Sequence, residues 1–193
     1  MEKLLRKDLP AGAKTILSVL AFKRKRRPGG EIYKYKARLN AQGGIQRWGV
    51  DYWETYAPVV NWISIRLLLI LTVIHKLEIK SIDFVLAFPQ AELKLNVFME
   101  LPYRFNIGRK RQYVLQLKQN LYGLADASLN WFNELIKGLE AEAFVKSEID
   151  ICKDCIILVY VDDMIAISKK EKVLETLVEN LRKKNNVLID EEL

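Results

Sequence analysis

The sequence predicts an α+β fold, and three observations carry that prediction. Residues 155–168 read CIILVYVDDMIAIS, two apolar runs rich in β-branched residues (156–161 and 164–167) around a polar break at Asp162-Asp163, which is the pattern of a buried hairpin. Trp131, Leu135, Leu139 and Ala143 recur every four residues with Phe132 and Ile136 beside them, which is helical spacing. From residue 62 onward the predicted order is helix, three strands, helix, hairpin, helix. That order mixes helices with a mainly antiparallel sheet.

Taken in order, residues 15–22 form an apolar strand candidate, followed by the basic run 23–27 and the turn Pro28-Gly29-Gly30. Residues 31–39 (EIYKYKARL) alternate and read as the return strand of a hairpin. Period-two alternation then sets Lys34, Lys36 and Arg38 on one face, beside Lys23 and Lys25. Such a row either contacts phosphates or protects an exposed edge strand with charge. Residues 40–60 read as loop. Asn61 is positioned to cap a helix over 62–76 that is apolar almost all round and so expected to be buried. A strand over 77–83, a turn around Pro89 and a strand over 97–101 follow. Residues 102–111 read as loop and 113–118 as a strand. Ser128 is the expected N-cap of a helix reaching residue 144. The last helix spans 170–184, with Val173, Leu174, Leu177, Val178 and Leu181 on one face.

Half of the 193 residues are hydrophobic and 28% are charged, as in a globular chain. The net charge of +7 is uneven, because residues 1–50 hold thirteen Lys/Arg against Glu2, Asp8 and Glu31. A basic front suits a polyanionic partner, nucleic acid or an anionic membrane face, or is simply a solvated arm. Cys152 and Cys155 form one C-x-x-C, and His75 is the single histidine, so a four-ligand zinc site is excluded and the thiols read as reduced and core-type. The longest apolar run, 63–74, is too short to span a bilayer and contains Arg66. With no signal-peptide pattern, a soluble intracellular protein is expected.

The chemistry centres on carboxylates. Asp162 and Asp163 repel one another when both are ionised, and a hard divalent cation would relieve that repulsion. Alone, an Asp-Asp break is an ordinary polar turn. It becomes a site if Asp83, at the end of the 77–83 strand, converges on it. Strands lying side by side would bring all three acids to one edge of the sheet, as two metal ions about 3.5–4 Å apart require for in-line phosphoryl displacement.

Six stretches together resemble the reverse transcriptase domain of copia-type retrotransposon Pol polyproteins: YKARLNAQGGIQRWGVDYWETYAPVV (35–60), SIRLLLILTVIHK (64–76), IDFVLAF (82–88), VFMELP (97–102), LKQNLYGL (117–124) and LVYVDDMIAIS (158–168). The resemblance implies RNA-directed DNA polymerase activity on a polymerase fingers-palm fold with a ferredoxin-like palm. Residues 1–60 would be a basic fingers-like region and 61–193 the palm-like catalytic region, with part of the fingers intercalated near 100–145. By the same resemblance, Asp83, Asp162 and Asp163 are the catalytic acids holding two Mg²⁺ ions. Lys36 and Arg38 clamp the triphosphate, Phe88 is an aromatic gate against a 2′-hydroxyl, and Tyr122 and Gly123 line the nucleotide pocket. Tyr160 and Val161 touch the primer terminus and nascent base pair. The implied partners are an RNA or DNA template with primer and deoxynucleoside triphosphates, with no membrane.

The chain also departs from the pattern. Residues 125–129 read ADASL where the family has two basic positions, so Asp126 is expected to bring an acid beside the nucleotide pocket. Pro89-Gln90-Ala91 replaces the usual turn after Phe88, Leu20 replaces a Trp, and the chain looks shortened between 149 and 155. It ends NNVLIDEEL, with no segment matching the family's primer grip, thumb, RNase H or integrase. The alternatives are therefore a truncated, non-catalytic transposon remnant and a non-specific nucleic-acid-binding module.

Overall fold

A computed structural model of the chain describes residues 1–102, 112–144, 154–184 and 187–190. In chain order its elements are β1 (Glu2–Leu5), β2 (Thr15–Ile16), β3 (Ser18–Arg26), β4 (Ile32–Ala41), α1 (Trp62–Ile74), β5 (Glu78–Phe84), α2 (Ala87–Gln90), β6 (Phe98–Glu100), β7 (Tyr113–Gln116), α3 (Ala127–Ala141), β8 (Cys155–Tyr160), β9 (Asp163–Ser168), α4 (Glu171–Lys184) and β10 (Val187–Asp190). Helices and mainly antiparallel sheets make this an α+β chain. The loop expected over 102–111 falls largely outside the described residues, as do Cys152 and the shortened stretch 149–155 except for its last two residues.

One compact unit comprises Met1–Thr55 and Ala91–Asn130. Its four-stranded sheet runs β1-β7-β6-β2, and β3 and β4 form a separate two-stranded ribbon. The single strand expected over 15–22 is two strands. β2 pairs parallel with β6, and after Leu17 the chain changes partner and β3 pairs with β4. β1, not foreseen in the sequence, pairs with β7 and leads to Arg6. The Arg6 guanidinium donates to Glu100 at 2.6 Å, and Thr15 Oγ1 donates to the same carboxylate at 2.5 Å. The same unit holds a buried polar chain. Asn120 Nδ2 donates to the Ala91 and Glu92 carbonyls at 3.1 and 2.9 Å, and Asn130 Nδ2 donates to Asn120 Oδ1 and Asp126 Oδ2 at 3.1 and 2.9 Å. α3 starts at Ala127, so Ser128 lies inside the helix and not at its N-cap; the Asp126 carbonyl just before it accepts the Asn130 N–H at 2.9 Å.

The other unit comprises Tyr56–Gln90 and Trp131–Leu193. Its sheet runs β10-β5-β9-β8 with every pairing antiparallel. β10 has no counterpart among the predicted elements. One sheet face, with Ile79, Ile165, Ile167, Ile156 and Leu158, packs against Ile65 and Leu68 of α1. On the other face Phe84 meets the fully buried Trp131 ring at 5.0 Å. α4 runs along β5 and β9 and buries Leu174, Leu177, Val178 and Leu181. The turn expected at Pro89 is the short helix α2, where proline is tolerated because first-turn N–H groups lack intrahelical partners.

α1 corrects an expectation. Asn61 caps it, Oδ1 accepting the Ile63 N–H at 2.9 Å, but only Ile65 and Thr72 are buried. Ile63, Leu67, Ile70, Val73 and Ile74 stand in solvent among the described residues. An all-apolar helix carries no signal of which stripe meets the sheet. Ile70→Lys is therefore expected to change stability by no more than about 0.5 kcal/mol, and Ile65→Ala to cost about 2–4 kcal/mol, as read by urea denaturation. Similar losses for the two would contradict this packing. No described helix is long and apolar enough to cross a membrane.

Candidate active site

β5 and β9 are the two central strands of their sheet, and their register pairs Asp83 directly with Asp163. Across the hairpin, Asp163 pairs with Tyr160. Alternation along each strand therefore sets Asp83, Asp163 and Tyr160 on one face, the face on which α1 lies. Trp62 at the start of α1 approaches the Tyr160 ring at 5.8 Å, and the Val60 N–H donates to the Val159 carbonyl at 3.0 Å. Partial burial, together with the neighbouring charges of Asp162 and Asp83, raises the Asp163 carboxyl above its ordinary value.

The hairpin turn is displaced by one residue from the expected Asp162-Asp163. Its two loop residues are Val161 and Asp162, and Asp163 already belongs to β9. Val161 has φ +58°, and Asp162 is not among the residues of positive φ. Positive φ at the first loop position alone is the type II′ pattern, which favours glycine. A β-branched residue there is strained. Two hydrogen bonds hold the turn. Trp131 Nε1–H donates to the Val161 carbonyl at 3.0 Å, and the Phe84 N–H donates to the Asp162 carbonyl at 3.2 Å. Helical spacing marks Trp131 as core, but nothing in the spacing shows that its indole N–H reaches the turn.

The three carboxylates do not close into a cage as they stand. Among the described residues no group of three or more His, Cys, Asp or Glu side chains is gathered tightly enough to hold a metal ion. Their donor set is nonetheless all oxygen, at one sheet end, with mutual repulsion that a hard cation would relieve. Phe88 is half-buried in α2, a helix steadied by Gln90 Nε2 donating to the Val85 carbonyl at 2.8 Å. Burial pushes the Cys155 thiol up to about 11, consistent with a core role.

The other unit gathers a second set of predicted residues. The ribbon register pairs Lys23 with Lys36, Lys25 with Lys34 and Ala21 with Arg38, so all five cations share one face. The Arg38 guanidinium lies 5.4 Å from the Tyr122 ring centroid. The Tyr122-Gly123 turn is fastened to the end of β4, its two carbonyls accepting the Ala41 and Gly43 N–H groups at 2.8 and 2.9 Å. Gln46 Oε1 also accepts the Ala125 N–H at 2.9 Å. Asp126, expected to add charge beside a nucleotide, is buried and hydrogen-bonded to Asn130. Sequence reasoning passed over the opposite ribbon face, where Phe22, Arg24 and Tyr35 are exposed and, with Lys23, Lys36 and Ala37, line a groove. The alternation that marked the basic face was the signal for this one too.

Residues 4–189 match the family described as Reverse transcriptase (RNA-dependent DNA polymerase). The Retrovirus-related Pol polyprotein from transposon TNT 1-94 of Nicotiana tabacum is 31% identical over 91% of this chain, which spans 14% of that protein. The corresponding polyprotein from transposon RE1 of Arabidopsis thaliana is 36% identical over 89% of the chain, which spans 12% of it. Apo telomerase from Candida tropicalis, truncated from its C-terminal domain, overlays with a TM-score of 0.48 at 7% identity, covering 99% of this chain and 52% of that one. The family match over nearly the whole length decides the question: this chain belongs to the reverse transcriptase (RNA-dependent DNA polymerase) family.

Proposed function

We propose that the chain is the fingers-palm portion of an RNA-directed DNA polymerase, with a ferredoxin-like palm, and that it transfers nucleotides to a primer 3′-hydroxyl on an RNA or DNA template. The carrying observation is the β5–β9 register, which sets Asp83 opposite Asp163 beside Asp162. These three aspartates are the proposed ligands of two Mg²⁺ ions. When bound, the ions lower the pKa of the attacking hydroxyl and neutralise charge on the triphosphate and the leaving pyrophosphate.

The chain's own groups do the rest. Lys36 and Arg38 pair triphosphate oxygens, and Arg suits this because its planar fork can contact two oxygens at once. Tyr122 steadies Arg38, and Gly123 keeps the turn beside it clear of a side chain. Phe88 excludes a 2′-hydroxyl, the group that separates ribonucleotides from deoxynucleotides. Tyr160 and Val161 meet the primer terminus and the nascent pair. The ribbon supports a second reading, a nucleic-acid-binding module without polymerase activity, because it carries five cations on one face and exposed aromatics on the other.

Primer extension on an RNA template with Mg²⁺ and deoxynucleotides, for the parent and for Asp162→Asn, tests both. Extension that disappears in the variant is the expected result. Salt-sensitive binding of the same strength in both proteins, with extension in neither, would leave only the binding module.

A further inference from the structure

We propose that Trp131 is a positioning residue for Asp162, through the hydrogen bond from its indole N–H to the Val161 carbonyl. The inference rests on the polymerase reading above and deepens it. Val161 occupies a loop position whose positive φ a β-branched residue resists, so the hairpin does not adopt this turn by its own preference. Something outside it must hold the backbone there. The carbonyls on either side of the Asp162 backbone, those of Val161 and Asp162 itself, each receive a bond from outside the turn: Trp131 Nε1–H at 3.0 Å from α3 and Phe84 N–H at 3.2 Å from β5. With both flanking peptide planes pinned, the direction of the Asp162 side chain is set relative to Asp83, the residue just before Phe84.

The indole is itself fixed. Trp131 is 1% exposed, and the Phe84 ring meets it edge-on at 5.0 Å and 66°. A buried indole N–H needs an acceptor, and this one takes a carbonyl of the turn instead of a helix carbonyl. The bond therefore links the rigid body of α3 to the loop that carries an aspartate of the proposed site.

The test measures Mn²⁺ binding to the whole chain, read by the electron paramagnetic resonance of free Mn²⁺, with Asp162→Asn defining the site. Trp131→Phe keeps an aromatic ring and removes the N–H. It is expected to weaken Mn²⁺ binding by about ten-fold, corresponding to one ordinary hydrogen bond at about 1.4 kcal/mol. Glycine accepts positive φ freely, so in a Val161→Gly background the same substitution should change affinity less than about two-fold. Primer extension should follow the same pattern, with kcat reduced more than the nucleotide KM. Equal losses in both backgrounds would make Trp131 an ordinary core residue and overturn the proposal. Parent-like affinity in Trp131→Phe would overturn it as well. A parent that binds no Mn²⁺ would end the polymerase reading together with this one. If Trp131→Phe does not fold, 3-benzothienylalanine at position 131 preserves the shape of the indole without the N–H and gives the same comparison.

Discussion

Asp163→Asn is expected to cut primer extension by on the order of 10³-fold while leaving the chain slightly more stable at neutral pH. The loss follows if the carboxylate holds cations worth several kcal/mol in the transition state, since each 1.36 kcal/mol is a factor of ten. The gain follows from the electrostatics of the folded chain. Burial, Asp162 and Asp83 all push the Asp163 carboxyl above its ordinary 3.8. A raised pKa means that the folded chain holds the proton more tightly than the unfolded chain does. Stability is therefore highest below the ordinary value and falls as pH rises through the raised one. Asparagine removes this slope, so thermal melts of parent and variant should diverge as pH rises from about 4 toward neutrality. Much of the Asp163 side chain still meets solvent despite its partial burial, and screening limits the gain to about 1 kcal/mol or less. Parallel pH profiles would mean that the three acids do not repel one another in the folded chain.

Gly123→Ala should cost about 2–5 kcal/mol, enough to move the urea midpoint clearly. At φ +93° an L-residue is strained, and the added Cβ would strike the Ala41 carbonyl oxygen. Strain of this kind costs about 1–3 kcal/mol, and overpacking a similar amount. The damage would reach β4, because the Ala41 N–H donates to the Tyr122 carbonyl and the Gly43 N–H to the Gly123 carbonyl. Gly43 is equally confined, its missing Cβ facing the Gly123 oxygen. Gly138, inside α3 with open space around it, is the control: Gly138→Ala should stabilise by about 0.5–1 kcal/mol. A Gly123→Ala protein as stable as the parent would mean that this turn is not fastened as described.

Much of this architecture was legible where local chemistry and tertiary fold agree. Asn61 caps its helix, the Lys/Arg alternation marks one ribbon face, and the apolar period of α4 names its buried side. Legibility failed where tertiary contacts override local preference. The polar pair Asp162-Asp163 looks like the turn, but bonds from Trp131 and Phe84 hold Val161 in a conformation it would not choose. An all-apolar α1 has no distinguishable buried stripe, and β10 is recruited by the free edge of β5, not by any pattern of its own. Of the candidate site, the residues could be named from the resemblance. That Asp83 faces Asp163 came from strand adjacency, which spacing along the chain does not encode.

The opposition of Asp83 and Asp163 also limits how this stretch of chain can change length. Inserting or deleting one residue in β5 before Asp83 would turn that carboxylate to the far surface, and one in β9 would set Asp163 and the apolar residues after it on opposite faces. A two-residue indel would restore the facing but slide one acid past the other by about 7 Å. Length variation that keeps Asp83 opposite Asp163 is therefore confined to the connecting loops, and the two strands can drift in sequence only by substitution.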